Sequence, residues 1–259
     1  MRENAVKRRL ARGEAALGAW LMLDDPLGAE AMATAGWDWL LVDMEHGPIP
    51  LSAAGAIVTA VRAAGVVPFV RPAWNESSQI QRALDLGAYG IVVPVINDVS
   101  DARALVRDAR FPPLGERSRG AVRANLAFGT DGNTYSERAD AEILVFAQIE
   151  TETAYANAAA IAATDGIDGL FVGPNDLAFS TGKRWPDVWE RDAEYMERID
   201  AIPHIAAAAG KVAGILAREG AMAAQAIARG YRFVGVVSDV NLLIAGAKRE
   251  HAAATSRAP

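Results

Sequence analysis

Asp43, His46, Arg71, Glu150 and Asp176 are the residues whose types and positions could do chemistry together. Asp43 follows the apolar run WDWLLV and opens the string Asp43-Met44-Glu45-His46-Gly47-Pro48. Arg71 follows VPFV, Glu150 follows LVFAQI, and Gly173-Pro174-Asn175-Asp176 follows GLFV. Each has a plain structural explanation when taken alone. A carboxylate just past a strand is commonly a helix N-cap or half of a loop ion pair. Arg71 precedes a proline and could simply pair with a neighbour, and a single histidine is more often structural than catalytic. Glu150 resists that explanation, because Thr151 already supplies a cap for the helix that follows. The set resists it further: five ionisable groups buried at one place are costly unless paired or holding an ion. Glu150 and Asp176, in a chain with no cysteine and three histidines, form an oxygen donor set suited to a hard cation such as Mg²⁺ or Mn²⁺. They are 26 residues apart, about one strand–helix unit, which predicts adjacent strands.

These residues need a scaffold that brings strand ends together. An Ala-rich helical stretch ending at Gly, then a short β-branched or aromatic run, recurs at AMATAGWDWLLVD, LDLGAYGIVVPV, ATDGIDGLFVG and AIARGYRFVGVV. LGAWLML (17–23), VPFVR (67–71), AEILVFAQIE (141–150) and KVAGIL (211–216) are further strand candidates. Such runs lack clean alternation, as expected of strands buried on both faces. Strands alternating with helices along the whole length predict a parallel α/β sheet, and seven or eight units predict a closed (β/α)8 TIM barrel occupying residues 1–259 as one domain. Active sites of such barrels lie at the carboxyl ends of the strands, where all five residues stand. Two segments break the rhythm: 111–135, rich in Gly, Pro, Arg and Asn, reads as a long functional loop, and 180–190 as a lid-like excursion. The tail 250–259 is expected to fray.

Composition removes several alternatives. Net charge −6 and pI ≈ 5.2 leave no basic face for nucleic acid. No apolar run approaches the roughly 20 residues that span a bilayer, and the amino terminus lacks the apolar core of a signal peptide, so a cytoplasmic location is expected. Without cysteine there is no disulfide, thiolate metal site or thiol nucleophile. A Schiff-base mechanism would need a lysine at a strand's carboxyl end. Lys7 and Lys248 lie in polar terminal segments, Lys183 lies in a loop, and Lys211 opens a strand. No G-x-G-x-x-G follows a strand, and there is no P-loop.

The combination DMEHGP, FVRP, QIET and GPNDLAFSTG, in this order and spacing, resembles the HpcH/HpaI class of metal-dependent pyruvate aldolases from about Leu17 to about Leu243. GERSRGAVRA is similar to a run in the hydroxy-keto-acid aldolase branch. The resemblance implies a barrel of the phosphoenolpyruvate/pyruvate type and reversible aldol chemistry between pyruvate, or a relative such as hydroxypyruvate, and an aldehyde. It implies that Glu150 and Asp176 ligate Mg²⁺, Mn²⁺ or Co²⁺ with Gln148 in support. The keto acid would bind near the backbone of Gly173, Pro174 and Asn175, with Trp20, Arg123 and Leu216 also contacting substrate. Arg71 would stabilise the enolate oxygen, and His46 would move the proton, oriented by Asp43 or by Asp85, the latter from a neighbouring subunit if the chain forms the trimer or hexamer the family implies. Two other readings remain: a citryl- or malyl-CoA-type lyase, with Arg117, Arg119 and Arg123 supplying a basic groove for CoA phosphates, and a keto-acid-binding barrel without catalysis.

Overall fold

Short runs of β-branched and aromatic residues form the strands, and several of the helices begin at side-chain caps. The computed structural model describes residues 1–255. The strands are β1 (Ala16–Leu21), β2 (Trp39–Asp43), β3 (Val67–Arg71), β4 (Gly90–Val93), β5 (Leu144–Ile149), β6 (Gly169–Val172), β7 (Val212–Leu216) and β8 (Phe233–Ser238). They pair in chain order, all parallel, and β8 returns to β1 to close a (β/α)8 barrel. The helices are α1 (Ala5–Ala11), α2 (Pro26–Ala33), α3 (Leu51–Ala63), α4 (Ser77–Asp85), α5 (Val99–Ala109), α6 (Val122–Phe128) and α7 (Gly132–Glu142), followed by α8 (Glu152–Ala156), α9 (Ala158–Ala162), α10 (Pro174–Ser180), α11 (Ala193–Ala208), α12 (Gly220–Ala228) and α13 (Asp239–Thr255). Asp25, Asp98, Asp131, Thr151 and Asp192 cap α2, α5, α7, α8 and α11 by accepting backbone N–H groups. Among the described residues no helix is long and apolar enough to cross a membrane.

Three sequence expectations change. The segment 111–135 is not a long irregular loop: it contains α6 and the start of α7, because Asp131 caps a new helix there. The strand predicted from 141 begins only at Leu144, since α7 continues through Glu142 and Ile143 N–H still bonds Ala139 O. Residues 250–255 belong to α13; the rest of the tail lies outside the described residues.

The barrel interior is aromatic. Trp20, Trp39, Phe69, Phe146, Phe171 and Phe233 fill it, with Trp39 stacked on Phe233 at 4.0 Å and Phe146 on Phe233 at 4.5 Å. Rings of this size fit because glycines face them from the next strand. Gly18 lies in register with Trp39, Phe69 with Gly90, Phe146 with Gly169 and Phe171 with Gly214. A methyl group on any of these four glycines would overlap the facing ring, at 2.1 Å for Gly18 and 2.7 Å for Gly214. Val6 and Leu10 of α1 join this cluster. They approach it from the amino-terminal end of the barrel, where Lys7 Nζ donates to Ile143 O just before β5. At the opposite end the Asp239 carboxylate accepts the Met22 and Leu23 backbone N–H groups, fastening the β1 and β8 strand ends.

The facing-glycine rule makes a direct prediction. Gly18→Ala should cost about 1–3 kcal/mol or more, the usual penalty for forcing an atom into a packed interior. Gly246→Ala in α13, where nothing lies near the added methyl, should be neutral or gain up to about 1 kcal/mol from helix propensity. Denaturant midpoints of the two variants check this; equal effects would contradict it.

Candidate active site

The β2–β3 register sets the first half of the site. Asp43 and Arg71 are paired last residues of adjacent parallel strands, so their side chains emerge side by side. Arg71 grips Asp43 with two parallel bonds, Nε to Oδ1 at 2.9 Å and Nη2 to Oδ2 at 2.6 Å. Both side chains are buried, at 8% and 0% exposed. Asp43 Oδ1 also accepts the backbone N–H groups of Glu45 and His46. The remaining nitrogen, Arg71 Nη1, lies 3.0 Å from Glu45 Oε2, close but off the hydrogen-bonding direction. Burial pushes the Glu45 carboxyl up to about 7, against the pull of Arg71. His46 is 56% exposed, and its Nε2 lies 3.9 Å from Glu45 Oε1.

These contacts alter the expected pairing of His46. Asp43 holds the backbone of the His46 turn, not its ring, because both carboxylate oxygens are taken by Arg71. Asp85 ends α4, and that helix runs from the β3 mouth down to the start of β4; its carboxylate bonds Arg117 Nη2 at 2.9 Å. Within one chain it therefore cannot reach His46. The carboxylate beside the imidazole is Glu45, two residues from Asp43.

The second half comes from β5 and β6. Glu150 follows β5 directly, 5% exposed, and its Oε1 accepts Val95 N–H at 2.6 Å while Oε2 accepts Gln148 Nε2. Val95 adopts a positive φ of 58°, a conformation β-branched residues rarely take, and its N–H meets Glu150. Gln148 Oε1 is buried with no partner. Gly173 keeps the space above them open: a methyl there would lie 3.0 Å from Glu150 Cβ and 3.2 Å from Gln148 Nε2. Its own N–H bonds Ile149 O at 3.1 Å, so of the two backbone donors expected for a keto acid, this one is already taken. Asp176 stands not on a strand but in the first turn of α10, the helix that follows β6, and β6 pairs with β5, the strand that leads to Glu150. Among the described residues no three His, Asp or Glu side chains cluster as a ready metal cage. Two carboxylates with an orphaned amide oxygen fit a hard cation that takes its remaining ligands from substrate or water.

One cavity of about 210 Å³ joins the halves at the carboxyl mouth of the barrel. Its walls include Trp20, Asp43, His46, Arg71, Gln148, Gly173, Pro174, Asn175, Asp176 and Leu216, all expected from sequence. Glu150 sits just behind this wall, against Gly173 and Gln148. Arg123 does not line it: on α6 its guanidinium bonds Gly55 O and Thr59 Oγ1 of α3, outside the barrel. Arg117 is buried on Asp85 and Tyr135, and Arg119 bonds Asn133, so the three arginines form no groove at the mouth. No lysine lines the cavity. Trp185, Arg218, Ser238 and Asn241 do line it and were not expected. Arg218 stands two residues past β7 and Ser238 ends β8, so applying the strand-end rule to all eight strands finds both. Trp185 comes from the 180–190 excursion, which does reach the mouth.

Fold and site together define a (β/α)8 barrel carrying an acid, arginine and histidine site at its carboxyl face. Residues 16–246 match the family described as HpcH/HpaI aldolase/citrate lyase, and the chain belongs to that family. It is 38% identical to a hydroxypyruvate/pyruvate aldolase of Rhizorhabdus wittichii, over 95% of this chain and 96% of that one. It is likewise 38% identical to a 2-keto-3-deoxy-L-rhamnonate aldolase of Klebsiella pneumoniae, over 92% and 88%. An HpcH/HpaI aldolase/citrate lyase family protein of known structure from Burkholderia cenocepacia superposes with a TM-score of 0.89 at 35% identity, covering 97% and 99% of the two chains.

The buried Glu45 carboxyl has a consequence for stability. Its folded value of about 7 lies above the ordinary 4.5, so its contribution is fully present below about pH 4.5 and lost as pH rises through about 7. In chelated protein, Glu45→Gln should gain stability relative to wild type between about pH 5 and pH 8. Denaturant midpoints measure this, and a difference independent of pH would contradict it.

Proposed function

We propose that this chain is a divalent-metal-dependent aldolase joining and cleaving a small 2-keto acid, pyruvate or hydroxypyruvate, and an aldehyde. The observation that carries the reading is a single cavity placing Arg71, locked between Asp43 and Glu45, across from Gln148 and Asp176 with Glu150 behind. Glu150 and Asp176 would hold Mg²⁺, Mn²⁺ or Co²⁺, and the unpartnered Gln148 oxygen adds a third oxygen nearby. When bound, the cation would act as a Lewis acid on the keto oxygen.

The chain's own residues divide the remaining work. Arg71 faces the developing negative charge with a planar cation whose orientation Asp43 fixes before substrate arrives. His46, exposed to the cavity, carries the proton between the donor's methyl carbon or the aldehyde oxygen and solvent, as an imidazole near working pH can. Glu45 lies beside both groups, 3.9 Å from His46 Nε2 and 3.0 Å from Arg71 Nη1. Gly173, Pro174 and Asn175 form the wall against which the keto acid lies, Trp20 limits its size, and Leu216 bounds the remaining space of the cavity. A homo-oligomer, trimer or hexamer, accords with the exposed Leu242, Leu243 and Ile244 on α13; Asp85 of another copy could then approach His46. A cytoplasmic location belongs to the same reading. The CoA-lyase alternative loses its support, since Arg117, Arg119 and Arg123 are engaged away from the mouth.

Arg71 and His46 should fail differently. Arg71→Ala should lower both aldol cleavage and solvent exchange of pyruvate methyl protons by about 10²–10³, the usual cost of one oxyanion stabiliser, with poor rescue by Lys. His46→Ala should lower turnover by about 10²–10⁴ while leaving metal and pyruvate binding largely intact. Turnover, proton exchange and pyruvate titration of both variants check this; near-native turnover in His46→Ala would contradict the assigned proton path.

A further inference from the structure

Two arginines line the cavity, and they are in opposite states. Arg71 is buried, doubly bonded to Asp43 and 3.0 Å from the Glu45 carboxyl. Arg218 is exposed at the rim and makes no hydrogen bond or ion pair with any described residue. It stands in the loop between β7 and α12, two residues past Leu216. In a closed ring of eight strands, β7 lies four strands from β3, so Arg218 faces the cavity from the side opposite Arg71. The residues assigned to the keto acid occupy β3, β5 and β6, namely Arg71, Gln148, Gly173 and Asp176. The wall from β7 and β8 is left for the second substrate: Leu216, Ala217, Arg218, Ser238 and Asn241.

That wall has a definite character. Leu216 and Ala217 are apolar, while Ser238 and Asn241 offer neutral donors beside an uncompensated guanidinium. Glu219 and Asp187 share the neighbouring outer groove with Arg218, yet neither lies within ion-pair distance of it. A free arginine at the edge of a partly dry cavity is a site for an oxyanion, which it binds through a planar fork of donors.

We infer that Arg218, with Asn241 and Ser238, binds an oxyanion at the far end of the acceptor aldehyde, so that the second substrate is an aldehyde carrying a carboxylate or phosphate. The inference rests on the aldolase reading. In the addition direction the donor's methyl carbon loses one proton and forms a bond to the aldehyde carbon. The carbonyl π pair passes to the aldehyde oxygen, which takes up one proton, so the pair of reactants balances the product. Arg218 takes no part in these transfers; it sets which aldehyde is held, and in what orientation, before they occur.

The experiment uses intact protein with Mg²⁺ or Mn²⁺ and two isosteric acceptor pairs. Succinic semialdehyde is compared with butanal, and glyceraldehyde 3-phosphate with glyceraldehyde, as kcat/KM. Each rate is divided by the same variant's solvent exchange of pyruvate methyl protons, so that altered donor activation cannot imitate altered acceptor choice. The expected wild-type preference for the anionic member is about tenfold or more in at least one pair. It should fall toward unity in Arg218→Ala, persist in part in Arg218→Lys, and persist fully in Arg191→Ala, which removes a cation from the outer groove alone. A preference in the carboxylate pair or in the phosphate pair identifies which oxyanion the site takes. Intact proton exchange without anion preference, or a preference that survives Arg218→Ala, overturns this inference alone. Absence of proton exchange in the wild type overturns the aldolase reading and this inference with it.

Discussion

The site depends on one buried ion pair. Arg71 and Asp43 leave adjacent strands in register and meet through two bonds in a place where both side chains are buried. An isolated buried charge costs several kcal/mol, and a buried pair recovers this only with good geometry and satisfied donors. Asp43 achieves it by accepting four N–H groups, two from the guanidinium and two from the backbone of the turn it starts. That same turn carries Glu45 and His46, so pairing Arg71 also sets the path of the segment that holds His46. Removing Asp43 would leave an uncompensated cation and an unanchored turn together.

Beneath this layer the barrel supplies a dry floor. Six aromatic residues among facing glycines fill the interior, and Val6 and Leu10 of α1 pack onto them from the far end. Burial in such surroundings raises Glu45, and an oriented cation such as Arg71 acts more strongly there than in solution. The unpartnered Gln148 Oε1 and the positive φ at Val95 belong to the same economy: both are costly alone, and both surround Glu150.

Much of this was legible in the sequence because strand ends can be read locally. A Gly-terminated helix followed by a short apolar run marks a strand, and the polar residue after the run marks its carboxyl end. Asp43, Arg71, Gln148, Asp176 and Leu216 follow from that rule or from the family resemblance and do line one cavity. What could not be read depends on three-dimensional neighbours. The Gly18–Trp39 and Phe69–Gly90 fits require the strand register. Glu45 looks like an ordinary loop carboxylate until burial beside Arg71 is known. Arg123 and Asp85 carry suggestive charges, but α6 packs one against α3 and the downward run of α4 takes the other away from its own mouth. The segment 111–135 reads as a loop because Gly, Pro and Asn dominate it, although Asp131 caps a helix within it.

The central claim is that Glu150 and Asp176, with Gln148 beside them, make one cation site through which a 2-keto acid is held facing Arg71. Calorimetric titration of rigorously chelated protein with Mn²⁺, and then with pyruvate in the presence and absence of Mn²⁺, tests it most directly. The account predicts one Mn²⁺ per chain, weakened in both Glu150→Gln and Asp176→Asn, and pyruvate binding that is strong only when Mn²⁺ is present. Pyruvate binding equally well to verified metal-free protein, or Mn²⁺ affinity unchanged by both substitutions, would contradict it.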